Sequence, residues 1–197
     1  MFLKKEPSNK KIICIGTSTG GPRALQAVLT KLPKDLRAPV VIVQHMPPKF
    51  TSSLANRLDS LCELSVKEAE NGEILKPGTA YIAPGGRHMT LIQNNVDLKI
   101  KIMDTSPVNG HRPSVDVLFD SLCRINNIQK IAVIMTGMGS DGTAGLVQLK
   151  KDEDTVAIAE SQESCIVYGM PKSAIETNLV DYVVRLDEIA TKILKIM

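Results

Sequence analysis

Apolar residues in this chain form short continuous runs, and most runs are followed by a segment whose apolar residues recur at helical spacing. The strongest runs occupy residues 11–16, 39–44 and 130–135, and shorter ones occupy 155–159 and 181–184. A continuous run rich in Ile and Val is typical of a strand that is buried on both faces of a parallel sheet. The pattern therefore predicts five such strands.

The segments that alternate with these strands predict amphipathic helices, because their apolar residues lie three or four positions apart. The helices are expected in GPRALQAVLTKL, TSSLANRLDSL, DGTAGLVQLKK, PKSAIETN and DEIATKILKI. Thr51 or Ser52 is the expected N-cap of the second helix, and Ser114 is expected to cap a further helix after NGHRPS. Alternating strands and helices imply right-handed crossovers and a mainly parallel sheet with helices on both faces.

One region departs from this alternation. Residues 88–104 contain two alternating runs around Asn94 and Asn95, which predict an antiparallel hairpin. The sequence as a whole predicts a doubly wound α/β fold in a single domain at residues 11–197. Residues 1–10 are expected to form a flexible N-terminal tail.

Composition narrows the class of protein. The chain has 197 residues, of which 43% are hydrophobic and only 3% aromatic, so the core must be aliphatic. A net charge of +3 without a basic stripe argues against nucleic acid as a partner. Because no apolar run approaches the roughly 20 residues of a membrane span, and the N-terminus lacks a signal peptide, we expect no membrane insertion. The four cysteines form no CxxC pair, which favours the reducing cytoplasm.

Three loops carry the candidate chemistry, because sites in open parallel sheets form beyond the carboxyl ends of the strands. The loops GTSTGGP, QHMPP and TGMGSDG follow the three strongest strands and supply Ser18, His45 and Asp141. Residues 16–20 match G-x-S-x-G, the elbow that exposes a serine nucleophile between a strand and a helix. An imidazole after a buried strand can act as a base at neutral pH.

Alternatives remain for each of these residues. The serine loop can be a simple connection or a phosphate-binding loop, although Ser18 stands where the second glycine of G-x-G-x-x-G belongs. Asp141 can be the N-cap of the helix GTAGLVQL, alone or in addition to a catalytic role. His88 and His111 lie in loops and can line a site or serve structure. Scattered histidines without HExxH argue against a metal, and we expect no cofactor.

Six segments in order resemble the catalytic domain of the CheB family, the bacterial chemoreceptor protein-glutamate methylesterases. The resemblance runs from about residue 12 to about residue 194. It is carried by GTSTGGP, QHMPPKFTSSLANRL, VKEAENGEILKPGTAYIAPGGRHM, NGHRPSVDVLFDSL, IMTGMGSDGTAGL and YGMPKSAI.

The resemblance implies a Ser–His–Asp hydrolase of the cytoplasm. Ser18 would be the nucleophile, His45 the general base and acid, and Asp141 the carboxylate that orients His45, with Asp116 as the next candidate for that task. It also implies Thr19 beside the histidine and the backbone N–H of Met138 in the oxyanion hole. Candidate residues on the substrate side are His88, His111 and Arg112.

The implied reaction is hydrolysis of glutamate methyl esters on chemoreceptors, with methanol released, together with deamidation of receptor glutamines in chemotaxis adaptation. Family members usually carry an N-terminal receiver domain, whereas only ten residues precede the first predicted strand here. We therefore expect either a shortened protein or a stand-alone enzyme. The chain also has Gly86 where relatives commonly have a polar residue, and an unusually charged LKKDEDT turn. The residues alone leave open a small-molecule esterase, a nucleotide-binding module and an inactive interaction domain.

Overall fold

The computed structural model describes residues 10–95 and 97–197, so the predicted tail lies outside the described residues except for Lys10. The described part contains nine strands and six helices. In chain order these are β1 (Lys11–Thr17), α1 (Gly21–Leu29), β2 (Val40–Gln44), α2 (Phe50–Asp59), β3 (Ser65–Glu68), β4 (Thr79–Ile82), β5 (His88–Asn94), β6 (Asp97–Met103), α3 (Val115–Leu122), β7 (Gln129–Ile134), α4 (Thr143–Leu149), β8 (Thr155–Glu160), α5 (Met170–Ile175), β9 (Tyr182–Val184) and α6 (Leu186–Ile196).

Seven of the strands form one parallel sheet in the order β3-β4-β2-β1-β7-β8-β9. The five strands predicted from apolar runs are confirmed, and so are the helices that alternate with them. The apolar pattern of the sequence did not indicate β3 and β4, which have only four residues each. Two of the four positions in β3 are only partly buried and one is exposed, so this strand carries no continuous apolar signal.

Strand order places the candidate loops together. The central strand β1 lies between β2 and β7, and the pairing register sets Thr17 opposite Gln44 and Gly16 opposite Ile134. The chain leaves β1 towards one side of the sheet and returns to its other side with β7. A crevice forms at such a reversal, beyond the carboxyl ends of the strands.

Each face of the sheet is covered by a separate aliphatic core. Ile13 and Ile15 point to one face, where they pack against α1, α2 and α6, whereas Ile12 and Cys14 point to the other. That second face is covered by α3, α4, α5 and the hairpin β5–β6. The predicted doubly wound α/β fold in one domain, with helices on both faces and one hairpin, is confirmed.

The sequence predicted one hairpin and the N-caps of two helices from local patterns. Strands β5 and β6 pair antiparallel and Asn94 lies opposite Asp97, so the hairpin predicted around Asn94 and Asn95 is confirmed. Ser114 caps α3, where its hydroxyl accepts a hydrogen bond from Val117 N. The expected cap of α2 at Thr51 or Ser52 is wrong, because that helix begins after Lys49, without a side-chain cap.

Thr51 is instead used across the fold. Its hydroxyl donates to Glu68 at 2.6 Å and accepts from the N–H of Gly85 at 2.9 Å. These bonds tie α2 to the end of β3 and to the loop that follows β4. As for membranes, none of the helices in residues 10–95 and 97–197 combines the length and apolar character needed to cross one.

Candidate active site

Ser18 is the first residue beyond β1, in the turn that leads to α1. Its backbone N–H donates to the carbonyl oxygen of Thr136 at 3.0 Å, and its own carbonyl accepts from Gly21 N at 2.8 Å. The residue is half-buried. The turn therefore holds the serine backbone against the end of β7 and leaves its side chain at the rim of the sheet.

His45 follows β2 directly, and its N–H donates to the carbonyl oxygen of Thr17 at 3.1 Å. Because Thr17 pairs with Gln44, Ser18 and His45 are neighbours on adjacent strand ends. The imidazole is 9% exposed, and its Nε2 lies 2.7 Å from Oδ2 of Asp141. A carboxylate accepts, so Nε2 carries the proton and the lone pair lies on Nδ1.

The lone pair on Nδ1 is available. This nitrogen is buried and makes no hydrogen bond to any of the residues that the structure describes. The Ser18 hydroxyl is therefore not bonded to it in this structure. A neutral imidazole with one nitrogen held by a carboxylate and the other vacant can accept a proton.

Asp141 is buried and receives four hydrogen bonds. The donors are Nε2 of His45, Oγ of Ser114 at 2.7 Å, Val115 N at 2.7 Å and Asp116 N at 3.1 Å. Burial alone would raise the pKa of Asp141, but the hydrogen bonds from His45, Ser114 and the two N–H groups outweigh it and lower the pKa to about 2. The carboxylate is therefore fully charged at neutral pH.

Asp141 caps a different helix from the one expected. The helix that follows it, α4, has Gly142 as its N-cap without a side-chain hydrogen bond. The carboxylate bonds the first free N–H groups of α3 instead. This is possible because α3 approaches β1 closely: a methyl group on Gly16 would lie 2.5 Å from Val115. The positive end of the α3 dipole thus faces the Asp141 charge.

His111 covers the imidazole of His45, a contact that the sequence did not indicate. Its ring stacks on that of His45 with 3.8 Å between centroids and 10° between planes. Burial lowers the pKa of His111, and the charge on protonated His45 lowers it further, although Asp141 opposes this. His111 is therefore a substrate-side candidate whose ring lies directly on that of His45.

His88 and Arg112 form hydrogen bonds with residues other than Ser18, His45 and Asp141. His88 is fully buried, and its Nε2 donates to the carbonyl of Ser106 at 3.0 Å while its Nδ1 accepts from Ser114 N at 3.2 Å. The Arg112 guanidinium donates to Asp104 at 2.8 Å and to the carbonyl of Thr105 at 2.9 Å. The structure does not bring either residue into a hydrogen bond with Ser18, His45 or Asp141.

Asp116, the other candidate for orienting the histidine, instead accepts hydrogen bonds from backbone N–H groups at the start of α4. Its Oδ1 accepts from the N–H groups of Gly142 and Gly145 at 2.9 and 2.7 Å, and its Oδ2 accepts from Asn109 at 2.9 Å. Burial raises the pKa of Asp116, against the lowering effect of these N–H groups. The carboxylate that bonds His45 is that of Asp141.

The loop after β7 passes beside the serine. A methyl group on Gly137 would lie 2.8 Å from Cβ of Ser18, so only glycine allows this approach. The N–H of Gly137 donates to Val167, and its carbonyl accepts from Gly169 and Met170. The next N–H, that of Met138, makes no hydrogen bond within the described part of the chain, and the Met138 side chain is 67% exposed.

Two other residues contribute to the site. The carbonyl of Thr19 accepts from the hydroxyl of Thr136 at 2.9 Å, while the Thr19 side chain is exposed.

The sequence did not indicate a role for Gln44. Its amide bonds the carbonyl oxygens of both Ser18 and His45. The sequence feature that could have pointed to Gln44 is that it is the polar residue at the end of an otherwise apolar strand, VVIVQ.

Among residues 10–95 and 97–197, no group of three or more His, Cys, Asp or Glu side chains is arranged to hold an ion. The chemistry that the arrangement can perform is that of a hydroxyl, an imidazole and a carboxylate.

Comparisons with known proteins identify a family that this chain matches. A family model described as CheB methylesterase matches residues 13–193. A protein-glutamate methylesterase/protein-glutamine glutaminase of Halalkalibacterium halodurans is 61% identical over 189 residues, which are 96% of this chain and 54% of that protein. One of the same name from Bacillus subtilis is 51% identical over 189 residues, or 96% and 53%. The chain thus spans about half the length of the curated relatives it matches.

A solved structure agrees. The crystal structure of the Thermotoga maritima CheB methylesterase catalytic domain has a TM-score of 0.92 and 48% identity, with 96% of this chain and 100% of that one covered. The family model spans most of the chain, and the sequence and structural matches point the same way. The chain belongs to the CheB methylesterase family.

Proposed function

We propose that this chain is a serine hydrolase that removes methyl esters from glutamate side chains of bacterial chemoreceptors and also deamidates receptor glutamines. The relatives' names specify methylesterase activity on protein glutamate and glutaminase activity on protein glutamine. The observation that carries the proposal is the buried bond between His45 Nε2 and Asp141, which leaves Nδ1 vacant at the strand end next to Ser18. Within the proposal, residues 11–197 form the catalytic domain.

In the first step His45 Nδ1 takes the proton of the Ser18 hydroxyl as its oxygen attacks the ester carbonyl. The Ser18 hydroxyl and Nδ1 are apart in this structure, and such hydrogen bonds commonly tighten when substrate binds. Asp141 stays ionised, as its lowered pKa requires, and balances the positive charge that forms on the imidazole.

The tetrahedral intermediate places a negative oxygen in the site. We assign its stabilisation to the Met138 N–H, which lacks a partner in the described part of the chain and follows the glycine that touches Ser18. One such donor is typically worth about 2.7–4 kcal/mol. Thr19, exposed beside Ser18, would support the same region.

The imidazolium then gives its proton to the departing methoxide, and methanol leaves. Water, deprotonated by the same nitrogen, attacks the acyl-enzyme and releases a glutamate carboxylate and the free Ser18 hydroxyl. Deamidation follows the same course with ammonia as the leaving group. Neither step requires a cofactor.

The partner in this proposal is a methyl-accepting receptor, and the place of reaction is the cytoplasm. The four cysteines are unpaired, which fits a reducing compartment. Of the substrate-side candidates, His111 has the strongest support because its ring lies on His45.

The test is release of methanol from a receptor that carries labelled methyl esters. We expect turnover by the unmodified chain and no more than about a 10³–10⁴-fold residual rate over water in Ser18→Ala and His45→Ala. Circular dichroism should show both variants folded. Near-normal methanol release by Ser18→Ala would refute the assignment.

Simple aryl esters and nucleotides serve as comparison arms. Faster turnover of aryl esters, with none of methylated receptor, would indicate a small-molecule esterase. Thermal protection by nucleotides without fluorophosphonate labelling of Ser18 would indicate a phosphate-binding module.

A further inference from the structure

Gln44 joins the two loops that carry the proposed nucleophile and base. It is the last residue of β2, and its side chain is only 2% exposed. Nε2 donates to the carbonyl oxygen of Ser18 at 2.9 Å and to that of His45 at 3.0 Å. One amide therefore holds the backbone of both residues.

These bonds complete the hydrogen bonding of the serine turn. The Ser18 carbonyl also accepts from Gly21 N at 2.8 Å, so both of its lone pairs are used. The plane of the peptide that follows Ser18 is thereby fixed. His45 is held on the other side through its N–H to Thr17, at 3.1 Å.

The other end of the amide makes no such contribution. Oε1 of Gln44 is buried and has no hydrogen-bond partner in the described part of the chain. It lies against Gly21, where a methyl group would come within 1.8 Å of it. An unpaired buried carbonyl costs stability, so stability alone does not account for an amide here. The contribution of this side chain is at its donor end.

We propose that Gln44 is a positioning residue that sets the separation between the Ser18 hydroxyl and Nδ1 of His45. The inference rests on the proposed function of these two residues. The amide of Gln44 is buried and bonds backbone carbonyls rather than the Ser18 hydroxyl or the His45 ring, so Gln44 acts through the backbone that it holds.

The expected effect is on turnover rather than on substrate binding. A misplacement of about 1 Å in reacting groups can reduce a rate about 10²-fold. We expect Gln44→Met, which keeps the length but removes the donor, to lower kcat by about 10- to 100-fold with KM within about twofold.

Two further variants ensure that the test of Gln44 does not depend on a single substitution. Gln44→Glu keeps the shape and the oxygen but, when ionised, places a negative charge against two carbonyls. Gly21→Ala leaves Gln44 unchanged and displaces its amide, because the added methyl group overlaps Oε1 of Gln44 and also Oγ1 of Thr17. Both should lower kcat in the same manner as Gln44→Met.

Gln93→Met is the matched control. Gln93 Nε2 also donates to two carbonyls, those of Asn95 and Asn126, each at 3.3 Å, but it lies on the hairpin strand β5. The kcat of the Gln93→Met variant should equal that of the unmodified chain.

Each protein is assayed for kcat and KM of methanol release, for the second-order rate of fluorophosphonate labelling of Ser18, and for urea unfolding. The labelling rate should fall in parallel with kcat. A kcat within about threefold of normal in folded Gln44→Met and Gln44→Glu would overturn the inference. So would a loss of stability without a change in kcat, or failure of all three variants to fold, since either result makes Gln44 purely structural.

The two proposals can fail separately. If the unmodified chain labels with fluorophosphonate but releases no methanol from receptor, the proposed function is wrong. The labelling rates of the variants still decide whether Gln44 positions Ser18.

Discussion

At the scale of single residues, Asp141 is a buried carboxylate that is surrounded by hydrogen-bond donors. Its carboxylate accepts from His45, from the Ser114 hydroxyl and from two N–H groups of α3. These donors keep it charged although it is buried, because together they replace the water that it has lost. The same contacts therefore support an imidazolium and hold a helix in place.

Replacing Asp141 by asparagine should mainly reduce turnover. We expect Asp141→Asn to lower kcat by about 10⁴-fold, the loss typical when the carboxylate of a serine triad becomes an amide. The KM for methylated receptor should change little. Methanol release under saturating substrate measures the effect, and Asp116→Asn is the comparison. If Asp116→Asn were the more damaging variant, the orienting role would belong to Asp116.

The lowered pKa of Asp141 also predicts how stability depends on pH. The pKa is about 2 in the folded chain against a reference of 3.8, so folding favours the charged form. Its contribution, about 2 kcal/mol at roughly 1.4 kcal/mol for each pKa unit, is complete above about pH 4. It is lost as the pH falls through the folded value near 2.

Urea unfolding from pH 6 to the lowest pH at which the chain remains folded tests this dependence. The difference in unfolding free energy between the unmodified chain and Asp141→Asn should shrink as the solution becomes more acidic. A pH-independent difference for Asp141→Asn would contradict the lowered pKa.

The sequence predicted which loops meet at the rim of the sheet but not the contacts within them. Ser18, His45 and Asp141 each follow a strong apolar run, so the strand-end rule selected their loops. The stacking of His111 and the amide of Gln44 depend on strand order and on side-chain directions. No local pattern in one sequence encodes either of them.

At the scale of elements, α3 connects the site to the core. Its N-terminus receives Asp141, and its first turn lies against Gly16 of β1. Leu118, Phe119 and Leu122 bury its apolar side in the core shared with the hairpin. The position of Asp141 therefore depends on a helix from a different part of the chain.

Ser114→Ala should weaken this connection. The Ser114 hydroxyl caps α3 through Val117 N and also donates to Asp141 at 2.7 Å. Loss of both roles should reduce the free energy of unfolding by about 1–2 kcal/mol, the usual cost of a lost N-cap. Urea denaturation gives the value. Ser53→Ala, at an exposed serine of α2, is the control and should stay within about 0.5 kcal/mol of the unmodified chain.

The elements themselves were predictable to different degrees. Long apolar runs specified the central strands β1, β2 and β7, because both of their faces are buried. The edge strand β3 has a single fully buried residue, so its pairing comes from its neighbour β4. The cap of α3 was found through Ser114, whereas the role of Asp141 at the same helix end required the tertiary arrangement.

At the scale of the whole molecule, a single sheet separates two aliphatic cores. Alternate residues of β1 and β2 enter opposite cores, so neither core can form without the strands that also build the other. This arrangement predicts that residues 10–197 unfold in one cooperative transition rather than in halves. The rim at the carboxyl ends of the same strands, where Ser18 and His45 lie, should then be lost together with both cores.

A substitution in one core can be detected from the other. Tyr81 is buried in the core on the α3 side, and Leu25 of α1 is buried in the opposite core. In a background with Tyr168 and Tyr182 changed to phenylalanine, Tyr81 is the remaining tyrosine fluorophore of a chain without tryptophan. Leu25→Ala should cost about 2–5 kcal/mol and shift the Tyr81 fluorescence transition in urea as far as the circular dichroism transition. Separate midpoints for the two signals would mean that the cores unfold independently, in which case the common sheet does not couple them.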